Sequence, residues 1–212
     1  MLDYFYQGGP VMYPLLFCSL ISLTIVIERS IFWIREKGKR DRALLDRFMA
    51  LLAEGNLREA RVLVTDCHDP VVRVLVCGIV HREFSLRDAL RMSADEEVAR
   101  MRRYLPILDT MITLAPLLGI LGTVTGIIYS FNMLGVARVE NPALITAGIG
   151  QALITTAFGL TIAILSLIPY NYFLARIEKA EQEMEKYGTN LEILSERLQR
   201  ETDKAEHKES DR

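Results

Sequence analysis

"PALITAGIGQALITTAFGLTIAILSLIPYNYFLA", Pro142–Ala175, runs its whole length without a charged side chain. A bilayer's hydrocarbon core is about 30 Å thick and needs roughly 20 apolar residues of helix to cross it. The stretch is long enough to span and to project beyond. Yet it places Gln151, Thr155 and Thr156 where a lipid-buried helix ordinarily carries leucine. A polar group left unpaired in hydrocarbon is costly, so these side chains need partners.

Turning the helix about 100° per residue gathers Gly148, Gln151, Ala152, Thr155, Thr156, Gly159, Ala163 and Ser166 into one arc of about 140°. Ile162 alone intrudes. The opposite side carries Leu153, Ile154, Ala157, Leu160, Ile164 and Leu165. A second uncharged block, Met111–Ala137, sorts the same way. Ala115, Pro116, Gly119, Gly122, Thr123, Gly126, Tyr129 and Ser130 share one side, and large aliphatics share the other. Small residues let helix backbones approach closely in lipid. Two helices packed on each other, with each threonine bonded to the preceding turn, account for any single hydroxyl. The width of the arc, and an amide with several hydrogen-bonding positions, point further: to a face that lines a polar cavity or holds a partner helix.

A third block, Val11–Ile27, continues past Glu28-Arg29 into "SIFWI". The 212-residue chain is half hydrophobic, and its net charge of −2 gives no reason to expect nucleic acid. "MLDYFYQGGP" has neither the basic region nor the small-residue cleavage site of a signal peptide, so the first block reads as a retained span. Three cysteines, Cys18, Cys67 and Cys77, are an odd number with one inside a span, which argues for reduced thiols. The expected fold is therefore an all-α integral membrane protein with three transmembrane helices. The second and third are long and extend into a helical domain. Basic runs, "REKGKRDR", "RMRRY" and "RIEKA", mark the cytoplasmic side. That gives an outer N-terminal segment over 1–10, spans over 11–34, 105–135 and 143–175, a cytoplasmic helical domain over 35–104, and an outer loop over 136–142.

Within 35–104, "AEGNLREA" breaks a helix at Gly55-Asn56. Asp69-Pro70 supplies an N-cap and a first-position proline. "SLRD" at Ser85–Asp88 is a capping box for a long helix. That helix is expected to run past Tyr104 into the second span, with Pro106 as a kink. Beyond Ala175, Ile177, Ala180, Met184, Tyr187, Leu191, Leu194 and Leu198 recur at spacings of three and four. They predict an amphipathic helix over 176–201 that packs on the cytoplasmic domain or on other copies. The polar residues 202–212 are expected to lack order.

"LAPLLGILGTVTGIIYSF" followed by "GIGQALITTAFGLTIAILSLIPYN" resembles the paired signature of the MotA/TolQ/ExbB proton-channel family. "GGPVMYPLLFCSLISLTIVIERSIF" resembles the first span of the ExbB type. Three spans and this length resemble the ExbB/TolQ branch, since the flagellar MotA branch has four. The resemblance implies a homopentamer in the bacterial inner membrane, N-terminus periplasmic and C-terminus cytoplasmic. It implies a small ExbD/TolR-like partner whose single span carries an aspartate, with a TonB-like protein as a further partner beyond it. By position in the motifs, Thr123 and Thr156 correspond to threonines that face that aspartate, with Gln151 and Thr155 beside them on the ion pathway. Pro116, Gly119, Gly122, Gly126, Gly148 and Gly159 are the helix-packing positions. Gln151 departs from the pattern, because typical relatives carry a titratable glutamate there.

No charge sits deep in either long block, and Asp109 lies near the end of the second. A carboxylate that carries a proton at the midplane must come from another subunit. The coupling ion expected is H+. Sodium is the lesser alternative, since a hard cation wants several oxygens with charge among them. A non-conducting membrane scaffold for a partner helix is the alternative of a different class. No enzyme, cofactor or metal site is expected. "GILGTVTG" lacks the Gly-Lys-Ser/Thr ending of a phosphate loop, and Cys67-His68 with Cys77 and His81 fits no standard zinc spacing.

Overall fold

The computed structural model describes residues 8–37, 42–64, 69–137 and 142–210, and every regular element among them is helical. In order they are α1 Met12–Lys37, α2 Arg42–Ala53, α3 Leu57–Leu63, α4 Pro70–Val80, α5 Arg82–Arg102, α6 Leu105–Ala137 and α7 Pro142–Ser210. Three of them, α1, α6 and α7, are long and apolar enough to cross a membrane. The protein is an all-α membrane protein. The chain divides into two compact units, one of Met1–Ser30 with Tyr104–Leu174, the other of Ile31–Arg103 with Ala175–Arg212.

The first unit holds most of the apolar stretches. Its α6, 33 residues long, extends for about 50 Å at 1.5 Å per residue, well beyond a hydrocarbon core. Met12, Leu15 and Ala115 form a buried cluster, closed by Val11, Leu118, Phe158 and Ile162. Along α1 the buried stripe continues through Cys18, Ser22, Ile25 and Arg29, while Phe17, Leu20, Leu23 and Ile27 stay exposed. An apolar exterior of this kind is what lipid or a neighbouring helix covers. Arg29 is buried, yet its guanidinium grips Glu28 at 2.5 and 2.6 Å and lies 5.6 Å over the Tyr104 ring.

One expected continuity is absent. The helix from Ser85 does not run into the second span, because α5 ends at Arg102 and α6 begins at Leu105. Tyr104 between them has φ +68, a left-handed conformation uncommon in a bulky residue. Pro106 is the contribution legible in the chain: it has no N–H to donate to Arg102, and its ring opposes a helix that would run through it unbent. Placed second in α6, it gives up only a bond the first turn never makes.

The second unit packs the short helices with the far part of α7. Gly55, at φ +78, ends the turn after α2, and the Asn56 side chain caps α3 by accepting from Glu59 N–H at 3.4 Å. Asp69 Oδ1 accepts from Val71 N–H at 2.8 Å, with Pro70 opening α4. Ser85 breaks α5 with extended backbone, and its Oγ accepts from Asp88 N–H at 3.2 Å, so the long part of α5 starts where the capping box predicts. The Asp88 carboxylate accepts from Ser85 Oγ at 2.7 Å.

On α7, Ile177, Ala180, Met184 and Leu191 are buried. Arg102 and Glu181 pair at 3.4 Å, and Arg87 and Glu192 at 3.2 Å, along the side that meets α5. The helix also continues to Ser210, where order was expected to fade at 202. Glu and Lys make up half of "ETDKAEHKES", and these are good helix formers with no proline or glycine to stop them.

Candidate functional site

The small-residue arcs of α6 and α7 face each other. A Cβ built on Gly119 would lie 3.0 Å from Thr156 Cα, one on Gly126 3.2 Å from the Gly148 carbonyl oxygen, and one on Gly159 2.5 Å from the Ala115 carbonyl oxygen. These are backbone atoms, which cannot step aside. The two helices therefore touch main chain to main chain, and glycine is what allows it. Gly122 meets the Thr155 side chain, and Gly148 meets Ser130 Oγ. Pro116 sits half-buried within α6.

The four residues grouped by sequence as an ion path fall into three places. Thr155 is fully buried in the seam, and its hydroxyl lies 2.9 Å from the Ala152 carbonyl and 3.1 Å from that of Gln151, both on its own helix. Thr123 and Thr156, half-buried at one edge of the seam, meet hydroxyl to hydroxyl. Thr156 Oγ1 is also 3.0 Å from the Gly119 carbonyl, and Thr123 Oγ1 is 3.2 Å from the carbonyls of Gly119 and Ala152. A hydroxyl has one hydrogen to give. Two hydrogens thus serve more acceptors than they can satisfy together, and the bonding can be exchanged by rotation alone.

Gln151 lies elsewhere. It precedes Thr156 by five residues, about 140° round the helix, and so occupies the opposite edge of the buried face. There it meets the N-terminal turn. Gly9 has φ +72, and a Cβ at that position would run into Gln151 Nε2. Tyr129, grouped with the small residues by angle, is exposed.

Asp109 is exposed and makes no ion pair among the described residues. It shares its side of α6 with Pro116 and Thr123, at seven-residue spacing. Cys77 Sγ lies 3.8 Å from His81 Nδ1, and no cluster of three or more metal-ligating side chains occurs among the described residues. Cys67 and His68 fall outside those residues.

Residues 68–186, more than half of the chain, match the model of the MotA/TolQ/ExbB proton channel family. The chain belongs to that family. It is 38% identical over 201 residues to the putative biopolymer transport protein ExbB-like 1 of Synechocystis sp., covering 92% of this chain and 78% of that protein. It is 31% identical over 182 residues to the putative biopolymer transport protein ExbB homolog of Methanothermobacter thermautotrophicus, covering 84% and 64% respectively. Against the Tol-Pal system protein TolQ of Haemophilus influenzae it is 32% identical over 112 residues, 53% of this chain and 48% of that one. Such relatives set it in the ExbB/TolQ branch.

Two features went unread in the sequence. One is a ring of charge in the second unit, where Glu36 and Glu97 are bridged by Arg73 and Arg100. Arg100 reaches Glu36 at 3.0 Å and Glu97 at 2.9 Å, and Arg73 reaches Glu97 at 2.9 Å. The other is Arg176, whose guanidinium lies 5.5 Å over the Trp33 ring. Apart from Glu97 and Arg100, three residues apart on α5, both join residues far apart in the chain, and no local spacing announces those contacts.

Proposed function

We propose that this chain is the ExbB/TolQ-like subunit of a motor driven by the proton-motive force. Five copies in the bacterial inner membrane surround the span of a small ExbD/TolR-like protein. The N-terminus is periplasmic and the C-terminus cytoplasmic, in accord with the basic runs that flank the spans. An aspartate in the partner's span takes up and releases the proton. The work energised is envelope transport, foremost TonB-type biopolymer import.

The observation that carries this reading is the Thr123–Thr156 pair. Two hydroxyls with interchangeable acceptors can turn toward a carboxyl group and back, each exchanging one acceptor for another. The chain has no charged residue over 110–137 or 142–175, so it offers a hydroxyl-lined wall and no proton carrier of its own. The same lack of anionic ligands favours H+ over sodium.

A second reading, a scaffold that holds a partner helix without conducting, is favoured by one observation. The hydroxyls of Thr123, Ser130, Thr155 and Thr156 each already have a carbonyl partner within the protein. Mass measurement of the intact complex purified from its native membrane, with proton flux measured through the same complex, separates the two. A pentamer that retains a small single-span protein with a membrane aspartate and conducts protons supports the motor. A homopentamer without such a protein, after gentle extraction, contradicts it.

A further inference from the structure

Trp33 is the protein's only tryptophan. It is 8% exposed, and its indole Nε1 is buried with no hydrogen-bond partner among the described residues. A buried donor left unpaired costs about 1–3 kcal/mol, so an acceptor is to be expected beside it. Trp33 lines a part-open cavity in the second unit, together with Arg176, Lys179, Glu36 and the apolar Val71 and Met101. Its interior, about 20 Å³, has room for one water-sized group.

The charge around this cavity is uneven. Glu36 is its one acid, and that carboxylate is already bound at 3.0 Å by Arg100, with Arg73 at 3.9 Å. On the α7 side are two cations one turn apart. Arg176 is stacked on the indole, and Lys179 is exposed and makes no ion pair among the described residues. Among the side chains that line the cavity, two cations stand against one acid, around a donor that has no acceptor among the described residues.

Its place in the chain matters as well. Trp33 lies in the last turns of the first apolar helix, and Arg176 directly follows the third apolar stretch. Tryptophan and basic side chains collect where a span leaves the hydrocarbon. Basic pockets at the ends of spans bind anionic headgroups.

We infer that the Trp33–Arg176–Lys179 cavity binds a phosphate group. One phosphate oxygen enters to accept from the Trp33 indole N–H, and the others rest at the mouth against Arg176 and Lys179. The group is carried by a membrane phospholipid or is free phosphate, and the two share this chemistry. The inference does not depend on the ion-path reading, because it uses neither threonine.

Trp33 reports on the site directly. The full-length protein is delipidated in detergent, and its tryptophan emission is followed while short-chain phosphatidylglycerol, the matching diacylglycerol, or inorganic phosphate is added. A saturable change with phosphatidylglycerol but not diacylglycerol is expected. The Arg176→Gln/Lys179→Gln protein should bind about thirtyfold more weakly, at roughly 1 kcal/mol per basic group. Lys179→Gln alone, at an exposed position, should show part of that loss and guards against a folding defect in the double variant. Saturation by inorganic phosphate at similar concentration assigns the site to the free anion. Saturation by the lipid alone assigns it to a headgroup. No saturable change with either, or an equal change with diacylglycerol, overturns the inference.

Discussion

Thr123 and Thr156, 33 residues apart in the chain, meet hydroxyl to hydroxyl at the edge of the seam between α6 and α7. Both also lie within reach of the Gly119 carbonyl oxygen. The pair exists because glycines beneath it bring the two backbones together.

Gly159→Ala should force those backbones apart. The new methyl would stand 2.5 Å from the Ala115 carbonyl oxygen and 3.2 Å from Gly119 Cα. Overpacking of this kind costs about 1–3 kcal/mol. A thermal melt in detergent should show a lower midpoint, whereas Gly150→Ala, with nothing within 4 Å among the described residues, should melt like the parent. Equal melting of all three proteins would refute the close seam.

At the other edge of α7, Gly9→Ala should be harmful for two reasons: its φ of +72 and the Gln151 side chain in the way. Adding Gln151→Ala makes room, so the double variant should recover part of the lost stability and leave the backbone strain. Gln151→Ala alone should reduce energised activity far less than loss of either threonine hydroxyl. If the two substitutions prove strictly additive in the melt, Gln151 does not hold the N-terminal turn.

The three spans and the glycine faces were legible because lipid imposes long apolar runs and close packing imposes small residues at helical spacing. The caps at Asn56, Asp69 and Ser85 were legible too, since each acts within three residues of itself. The break at Tyr104 was not. Pro106 signals an interruption, but whether a helix kinks or stops depends on what fixes the joint, here Arg29 from another helix over the Tyr104 ring. The arc on α7 was read at its true width, yet its edges have different neighbours. Angle alone cannot tell that Gln151 meets Gly9 while Thr156 meets Thr123.

Ser85→Ala removes the hydroxyl that accepts from Asp88 N–H. Loss of an N-cap of this kind costs about 1 kcal/mol. Amide hydrogen exchange should quicken over the first turn after Ser85 and stay unchanged in α6. Uniform protection across that turn would show that the cap contributes little.

Glu36→Gln tests the charge ring. The side chain is 7% exposed, and the substitution leaves Arg73 and Arg100 to share Glu97. Both arginines are more than a third exposed, so water softens the loss. A destabilisation of about 1–2 kcal/mol is expected, read as a lower melting midpoint. An unchanged midpoint would mean that Glu97 alone suffices for both cations.

The most direct test of the ion path is proton flux through the assembled complex carrying Thr156→Val, a change that keeps the shape and deletes the hydroxyl. The account predicts an intact complex by mass, with flux and energised activity abolished, and the same for Thr123→Val. Normal flux through an intact Thr156→Val complex would contradict it and leave the threonine pair as helix packing.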